Sequence, residues 1–362
     1  MRTPNTPTPN TPPPNTPPPN TPTPNTPTPD APAAPAGPAL DVRGLRITLP
    51  GTARPVLDGV DLTVGAGETV ALVGESGSGK SLTSRSALRL LPPGAVVEGV
   101  VRVAGRDVLT LDPAALRAVR STAAAMVFQD PRAAVNPLRR IGDFLTEGVT
   151  LTGTMGRNEA TARAGELLRA VGLDASVLRK YPGQISGGML QRVVIAAALM
   201  GNPVLLLADE PTTALDVTSQ AEVIALLAAL RERFGTGLLF VTHDLDLAAA
   251  TSDRVYVMYA GRIAETGPAE ALFARPRHPY TAALLASTPR MDGPRGRLAA
   301  IAGRPPDLRV ELPGCAFAAR CPLATEVCDR EAPRPVAAPG RPEHRAACHH
   351  SDRHEGSAVD VR

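Results

Sequence analysis

Tryptophan is absent from this chain of 362 residues, and phenylalanine and tyrosine leave the aromatic share at 3%. Any core must therefore be aliphatic, built mainly from Leu, Val and Ala. Net charge is nearly absent too. At +3 it is too small to argue for nucleic acid or an anionic membrane surface as a partner. Long apolar runs are missing: the longest, Val193 to Met200, falls far short of the roughly 20 residues that span a bilayer. The N-terminus also lacks the apolar segment of a secretory leader. These absences predict a soluble, cytosolic chain that reaches any membrane process by docking. The length allows two domains, or one large domain with appendages.

Proline, by contrast, is plentiful and crowds the first residues. Asn5, Asn10, Asn15, Asn20 and Asn25 recur at every fifth position there, with Thr and Pro between them. Such a stretch has no large apolar residues with which to bury a core. Residues 1–38 are expected to form an extended, disordered tail.

From Leu40 onward, apolar alternation predicts strands at Leu40 to Ile47, Val56 to Val64, Thr69 to Val73, Ala123 to Phe128, Val204 to Ala208 and Leu238 to Thr242. A further β region covers Val96 to Val103 and Val108 to Leu111, joined by a turn at Ala104 to Asp107. Helical patterns run over Leu82 to Leu91, within Ile141 to Lys180, over Leu190 to Met200 and over Ala221 to Arg233. Strands alternating with helices predict an α/β fold with a mainly parallel sheet, whose ligands sit at the strand C-termini. Gly74, Gln129, Asp209 and His243 all fall at such ends, on one rim.

The stretch Gly74-Glu75-Ser76-Gly77-Ser78-Gly79-Lys80-Ser81 fits the Gly-x-x-x-x-Gly-Lys-Ser/Thr pattern of a phosphate-binding loop. It lies between an expected strand and an expected helix that opens at Leu82, the context the pattern requires. Glycines let the backbone curl so that successive N–H groups face inward, and the helix start adds its positive end. Lys80 would reach the outer phosphates, and Ser81 would hold magnesium. The apolar strand ending in Asp209-Glu210 suits the same chemistry. Asp209 is placed for magnesium and Glu210 to polarise an attacking water. An acidic pair after a strand also serves as ordinary helix N-terminal charge. Ser186-Gly187-Gly188 opens an apolar helix and makes a second anion-binding start. One compact nucleotide does not need two such nests from one chain, so the second would cap ATP held by another subunit. Its plain structural alternative is a helix start with Ser186 as N-cap.

In this order the motifs resemble the ATP-binding-cassette family of nucleotide-binding subunits: the phosphate loop, Phe128-Gln129, the Ser-Gly-Gly signature, Leu207 to Pro211, Ala214-Leu215-Asp216 and Val241-Thr242-His243-Asp244. The resemblance implies a RecA-like core with an antiparallel β subdomain and a helical subdomain over about 131–190, the whole cassette covering 39–272. It implies that Gln129 contacts the magnesium and water. It places Ser186, Gly187 and Gly188 on the γ-phosphate across a head-to-tail dimer, has Asp216 tie the two sites together, and has His243 hold the γ-phosphate. Met189 stands where the commonest signature has Gln, a variant typical of the peptide and nickel importer branch. No aromatic lies between Asp41 and Leu57, where the family often stacks one on adenine; Arg54 or Val56 would serve instead.

Residues 273–362 resemble the oligopeptide/dipeptide transporter C-terminal region. Phe273 to Thr281, Gly303 to Leu308 and Gly314 to Pro322 carry that likeness. All four cysteines, Cys315, Cys321, Cys328 and Cys348, lie in this loop-rich tail. Cytosolic disulfides are disfavoured, which leaves metal ligation or free thiols. Four thiolates suit zinc or a [4Fe–4S] cluster, and the wide spacing resembles the iron–sulfur version of this tail. His344, His349 and His350 lie near enough to substitute. The implied protein is a Mg2+-dependent ATPase subunit of an importer of di- or oligopeptides, at the cytoplasmic face of the membrane. Its partners would be a second cassette ATPase, two membrane permeases and, indirectly, a solute-binding protein. Nickel or a metal chelate as cargo, a soluble cassette ATPase, and a non-hydrolysing binding module are the competing readings.

Overall fold

The computed structural model describes residues 37–211, 217–288 and 301–353. The expected tail before residue 37 and the motif residue Asp216 lie outside the described residues. Among those described, the strands are β1 (Leu40–Thr48), β2 (Leu57–Val64), β3 (Thr69–Val73), β4 (Val96–Val103), β5 (Arg106–Asp107), β6 (Ala124–Val127), β7 (Leu205–Asp209), β8 (Gly237–Val241), β9 (Arg254–Tyr259), β10 (Arg262–Pro268), β11 (Val336–Ala338) and β12 (Arg341–Ala346). One sheet is antiparallel in the order β2-β1-β4-β5. The other runs β11-β12-β10-β9-β3-β8-β7-β6. Its β9, β3, β8, β7 and β6 are parallel, while β10, β12 and β11 are added antiparallel.

Side chains alternate across a strand with period two, and this alternation assigns the two faces of the large sheet. Val70 and Leu72, Leu205 and Leu207, Leu239 and Val241, and Tyr256 and Met258 face the antiparallel sheet and share a core with Leu40, Leu45 and Leu57. Their neighbours point the other way, and that second face is divided. Leu206, Ala208, Leu238 and Phe240 pack under the helices Ile141–Leu151, Arg157–Ala170 and Gly187–Ala198. Ala71, Val73, Val255, Val257 and Tyr259 pack under Leu272 and under Tyr280 and Phe317 of the C-terminal region. Strands β3, β7 and β8 are buried along their whole length, which is why they read as continuous apolar runs. Among the described residues no helix is long and apolar enough to cross a membrane.

Three local expectations need correction. The helix after the phosphate loop spans Lys80–Ser86, not Leu82 to Leu91. Arg89 turns left-handed at φ 50°, Leu90 N–H bonds back to Arg85 O at 3.0 Å, and Pro92 follows; together these end the helix early. The strand after β4 is Arg106–Asp107 rather than Val108 to Leu111. Ala104 and Gly105, both at positive φ, make a two-residue hairpin turn, and the Asp107 carboxylate accepts from Leu109 N–H to begin the next turn. The C-terminal tail, expected to be loop-rich, extends the central sheet: Glu265 pairs with Ala346, and Thr266 with Arg345.

Candidate functional site

The parallel strands deliver the rim. The loop from Gly74 to Gly79 leaves β3 and enters the helix Lys80–Ser86. Gly74 sits at φ 149°, and a Cβ there would meet Met258 O at 2.1 Å; Gly79, at φ 108°, would meet Leu57 Cδ2 at 2.5 Å. Neither position tolerates a side chain, so the loop's curl is built into the packing. Lys80 is 5% exposed, and its Nζ donates to Gly74 O at 2.8 Å and Glu75 O at 3.0 Å. Burial holds its pKa below the usual lysine value, opposed by the nearby carboxylates of Glu210, Asp209 and Glu75. The buried hydroxyl of Ser78 has no hydrogen-bond partner among the described residues.

Beside the loop, Ser81 Oγ donates to Asp209 Oδ1 at 2.7 Å. A hydroxyl and a carboxylate in contact form the hard oxygen pair that a magnesium ion takes. Arg85 reaches the other Asp209 oxygen at 3.4 Å. One residue on, Glu210 adopts φ 49°, a left-handed backbone rare for glutamate, fixed by its N–H donating to Val241 O at 3.0 Å. Such strain costs about 1–3 kcal/mol and persists where the surroundings over-determine it. It aims the carboxylate at two other rim residues. Gln129 Nε2 donates to Glu210 Oε2 at 3.1 Å, and His243 Nδ1 lies 3.6 Å from the same oxygen. A carboxylate, an amide and an imidazole meeting at one point can hold and deprotonate a water.

The structure therefore gathers Gly74, Glu75, Ser76, Gly77, Ser78, Gly79, Lys80, Ser81, Gln129, Asp209, Glu210 and His243 on one rim; Leu82 follows within the loop's helix. Ser186, Gly187 and Gly188 belong elsewhere. They open the helix Gly187–Ala198, where Ser186 Oγ accepts from Met189 N–H at 3.3 Å. Ser186 and Gly187 are exposed, and nothing lies within 4 Å of a Cβ built at Gly187 or Gly188. Buried Gln191, in the same helix, donates to Pro211 O at 2.8 Å and joins that helix to the loop after Glu210.

Arg54 and Val56 border a cavity of about 40 Å³ beside Ser76 and Ser78, closed by Pro305 and Pro306. Arg54 is 9% exposed and its guanidinium is committed, donating to the carbonyls of Asp307, Ala260 and Pro306 at 3.2, 3.3 and 3.0 Å.

The expected iron–sulfur or zinc centre is not supported. Cys315, Cys321, Cys328 and Cys348 are free thiols of one small region, and Cys315 N–H donates to Cys328 O at 2.7 Å. Yet among the described residues no three His, Cys, Asp or Glu side chains are grouped to hold a metal ion. All three proposed substitute ligands are engaged: His344 Nε2 contacts the buried carboxylate of Glu265 at 2.7 Å, His349 Nε2 contacts Glu331 O at 2.9 Å, and His350 Nε2 contacts Thr325 Oγ1 at 2.9 Å. Only His350 comes near a thiol, 3.8 Å from Cys328 Sγ. Burial pushes the Cys321 and Cys348 thiols up to about 11.

Sequence reasoning missed two rim contacts. Tyr280 and Arg320, both from the C-terminal region, touch Glu75 of the phosphate loop. Arg320 lies inside the stretch Gly314 to Pro322 that the pattern had already singled out, which was the available signal.

A phosphate loop, a Ser81–Asp209 oxygen pair and a glutamate held at the adjoining strand end, on a parallel sheet backed by an antiparallel one, define a nucleoside-triphosphatase of the ATP-binding-cassette type. Comparison with known proteins agrees. The ABC transporter family model matches residues 57–213, and the oligopeptide/dipeptide transporter C-terminal region model matches 264–328. The chain is 46% identical over 320 residues to a probable peptide ABC transporter ATP-binding protein of Sinorhizobium fredii, covering 86% of this chain and 95% of that one. It is 42% identical over 312 residues to the oligopeptide transport ATP-binding protein OppD of Salmonella typhimurium, covering 85% and 93%. Among solved structures, the dimeric ATP-binding cassette MJ0796 bound to ADP and Pi superposes with TM-score 0.56 at 30% identity, over 64% of this chain and 98% of that one. The chain belongs to the oligopeptide/dipeptide importer family of ABC transporter ATP-binding subunits.

Proposed function

We propose that this protein hydrolyses ATP to drive import of di- or oligopeptides through a membrane transporter. The observation that carries the chemistry is the meeting of Gln129 and His243 on one oxygen of Glu210, one residue from the Ser81–Asp209 pair. Family membership and relatives named for peptide transport support the cargo.

Lys80 would leave its carbonyl partners to meet the outer phosphates, and the loop's N–H groups would line them. Ser81, Asp209 and Gln129 would hold Mg2+, which draws charge from the β- and γ-oxygens. Glu210 accepts a proton from water as the water oxygen attacks the γ-phosphorus; the bond to the β–γ bridging oxygen breaks and ADP and phosphate result. His243 fixes the Glu210 carboxylate and the departing phosphate. Most of the acceleration is positioning and charge stabilisation.

The open faces of Gly187 and Gly188 support a head-to-tail pair, in which Ser186, Gly187 and Gly188 of one subunit complete the γ-phosphate site of the other. Asp216 would join the two sites. In this reading the partner is a related ATPase rather than a copy, and the pair docks on two permeases at the cytoplasmic face, supplied by a solute-binding protein. The cassette comprises 39–272 with its helical part over about 131–190, and 273–362 forms the C-terminal region. Turnover of Mg–ATP by the purified protein with its permeases tests the reading. Glu210→Gln should abolish turnover while ATP still binds; undiminished turnover would overthrow it.

A further inference from the structure

Nothing in the ATPase chemistry above gives a task to Gly314 to Pro322, yet this stretch reaches the phosphate loop. Arg320 Nη1 donates to Glu75 Oε2 at 2.8 Å and Nη2 to Glu75 Oε1 at 2.9 Å, a two-pronged pair. Its remaining N–H groups are also used: Nε donates to Ala302 O at 2.8 Å, Nη1 to Tyr259 Oη at 3.1 Å and Nη2 to Ile301 O at 3.2 Å. All five guanidinium donors thus have partners, and the side chain is only 5% exposed. The guanidinium also lies 5.7 Å from the Tyr259 ring and 5.9 Å from the Phe317 ring. Fully buried Tyr280 accepts Glu75 N–H at 2.8 Å, and Lys80 takes Glu75 O. Amide, carbonyl and carboxylate of one loop residue are therefore all held.

Glu75 follows Gly74 in the phosphate loop, and its carboxylate is near enough to Lys80, the residue placed to meet the outer phosphates, to act on that charge. A bare carboxylate there repels the ligand, and the repulsion is strong because the surroundings are partly dry. Within the phosphate loop this acid is paired by Arg320 from another part of the chain.

We propose that Arg320 is a positioning residue of the ATP site: its pair with Glu75 cancels that charge and fixes the phosphate loop, so the C-terminal region sets nucleotide affinity. This inference rests on the ATPase reading. It differs from a purely architectural role, in which loss of Arg320 would weaken folding alone.

The test is calorimetric titration of full-length protein with Mg–ATP, with the melting temperature of each variant measured alongside. Arg320→Met should weaken binding about tenfold, and the deficit should shrink between about 0.05 and 0.5 M salt as the uncovered charge is screened. Arg320→Lys, which keeps the charge and loses the planar fork, should fall between. Combining Glu75→Gln with Arg320→Met should restore affinity to within about threefold of wild type, because the repelling group is gone. A folded Arg320→Met protein with wild-type affinity, or a deficit that Glu75→Gln does not relieve, overturns the proposal. If Arg320→Met does not fold, Arg320→Lys decides, and wild-type affinity in that variant overturns it. Wild-type protein that binds no ATP overturns the ATPase reading as well, whereas wild-type binding indifferent to Arg320 overturns this inference alone.

Discussion

The face of the central sheet turned away from the antiparallel strands is shared by two unlike covers. Over β6, β7 and β8 the cover is helical and aliphatic: Leu145, Val149, Leu167, Leu168, Val193 and their neighbours. Over β3, β9 and β10 it is the C-terminal region, which sets Tyr280 and Phe317 against Tyr259 of β9. There Tyr259, Tyr280 and Phe317 pack with ring centroids 4.5–5.4 Å apart, alongside buried Arg277 and the Glu265–His344 pair. Aliphatic packing is non-directional and tolerates small slides. Charge-assisted hydrogen bonds and ring contacts tolerate little displacement. The helical cover presents its Ser186-Gly187-Gly188 nest to open space, whereas the C-terminal cover is fastened to the phosphate loop of its own chain. In the proposed pairing, the first side would meet a partner, while the second holds this subunit's phosphate loop.

The comparison can be broken at several points. On the shared rim, Glu210→Gln should lower ATP turnover about 10²–10⁴-fold, the usual loss on removing a general base, measured as phosphate release. On the partner-facing side, Gly187→Val should cut turnover about 10²-fold by obstructing the nest while moving stability by less than about 0.5 kcal/mol. An unaltered rate would mean that the nest meets no nucleotide. Gly74→Ala should lower stability. Its Cβ would press on Met258 O, and backbone strain and overpacking together cost about 3 kcal/mol, read as a lowered denaturation midpoint. Tyr280→Phe leaves Glu75 N–H without its partner and should cost about 1–3 kcal/mol, detectable by the same unfolding curve.

The smallest effect concerns the thiols. Cys321 and Cys348 are pushed by burial up to about 11 from an ordinary thiol value of 9.0. The sign follows from proton binding: between these values the folded state keeps protons that the unfolded chain has released, so stability falls as pH rises from 9 toward 11. Replacing both with serine should flatten that slope in a melting series. The same scarcity of thiolate predicts slow alkylation near pH 8. A visible absorption band or bound metal in anaerobically prepared protein would restore the metal reading that the geometry does not support.

The rim was legible because its residues come in short windows whose spacing encodes their chemistry: the Gly74–Ser81 loop and Asp209-Glu210 at a strand end; away from the rim, Ser186 capping an apolar helix was legible in the same way. Buried strands β3, β7 and β8 announced themselves as apolar runs for the same local reason. The Arg320–Glu75 pair spans 245 positions, and no periodicity connects residues so far apart. Strand β12 was equally hidden. In Arg341–Ala346 only His344 and Ala346 are buried, so it lacks the apolar alternation that marks a strand, and only the Pro339-Gly340 turn before it hinted at a hairpin. The early end of the helix after Lys80 escaped notice because Leu88, Leu90 and Leu91 continue an apolar pattern past the point where Arg89 reverses the backbone.

The attachment of β12 to β10 has a bearing on how the protein comes into being. A ribosome releases the nucleotide loop into the cell long before it has made Arg320 or the strand that borders Thr266. Chains fold progressively from the end made first, so an unfinished subunit would hold an acidic, unsecured loop with little appetite for ATP. If Arg320 sets nucleotide affinity as proposed, full affinity would arrive only as synthesis nears its close.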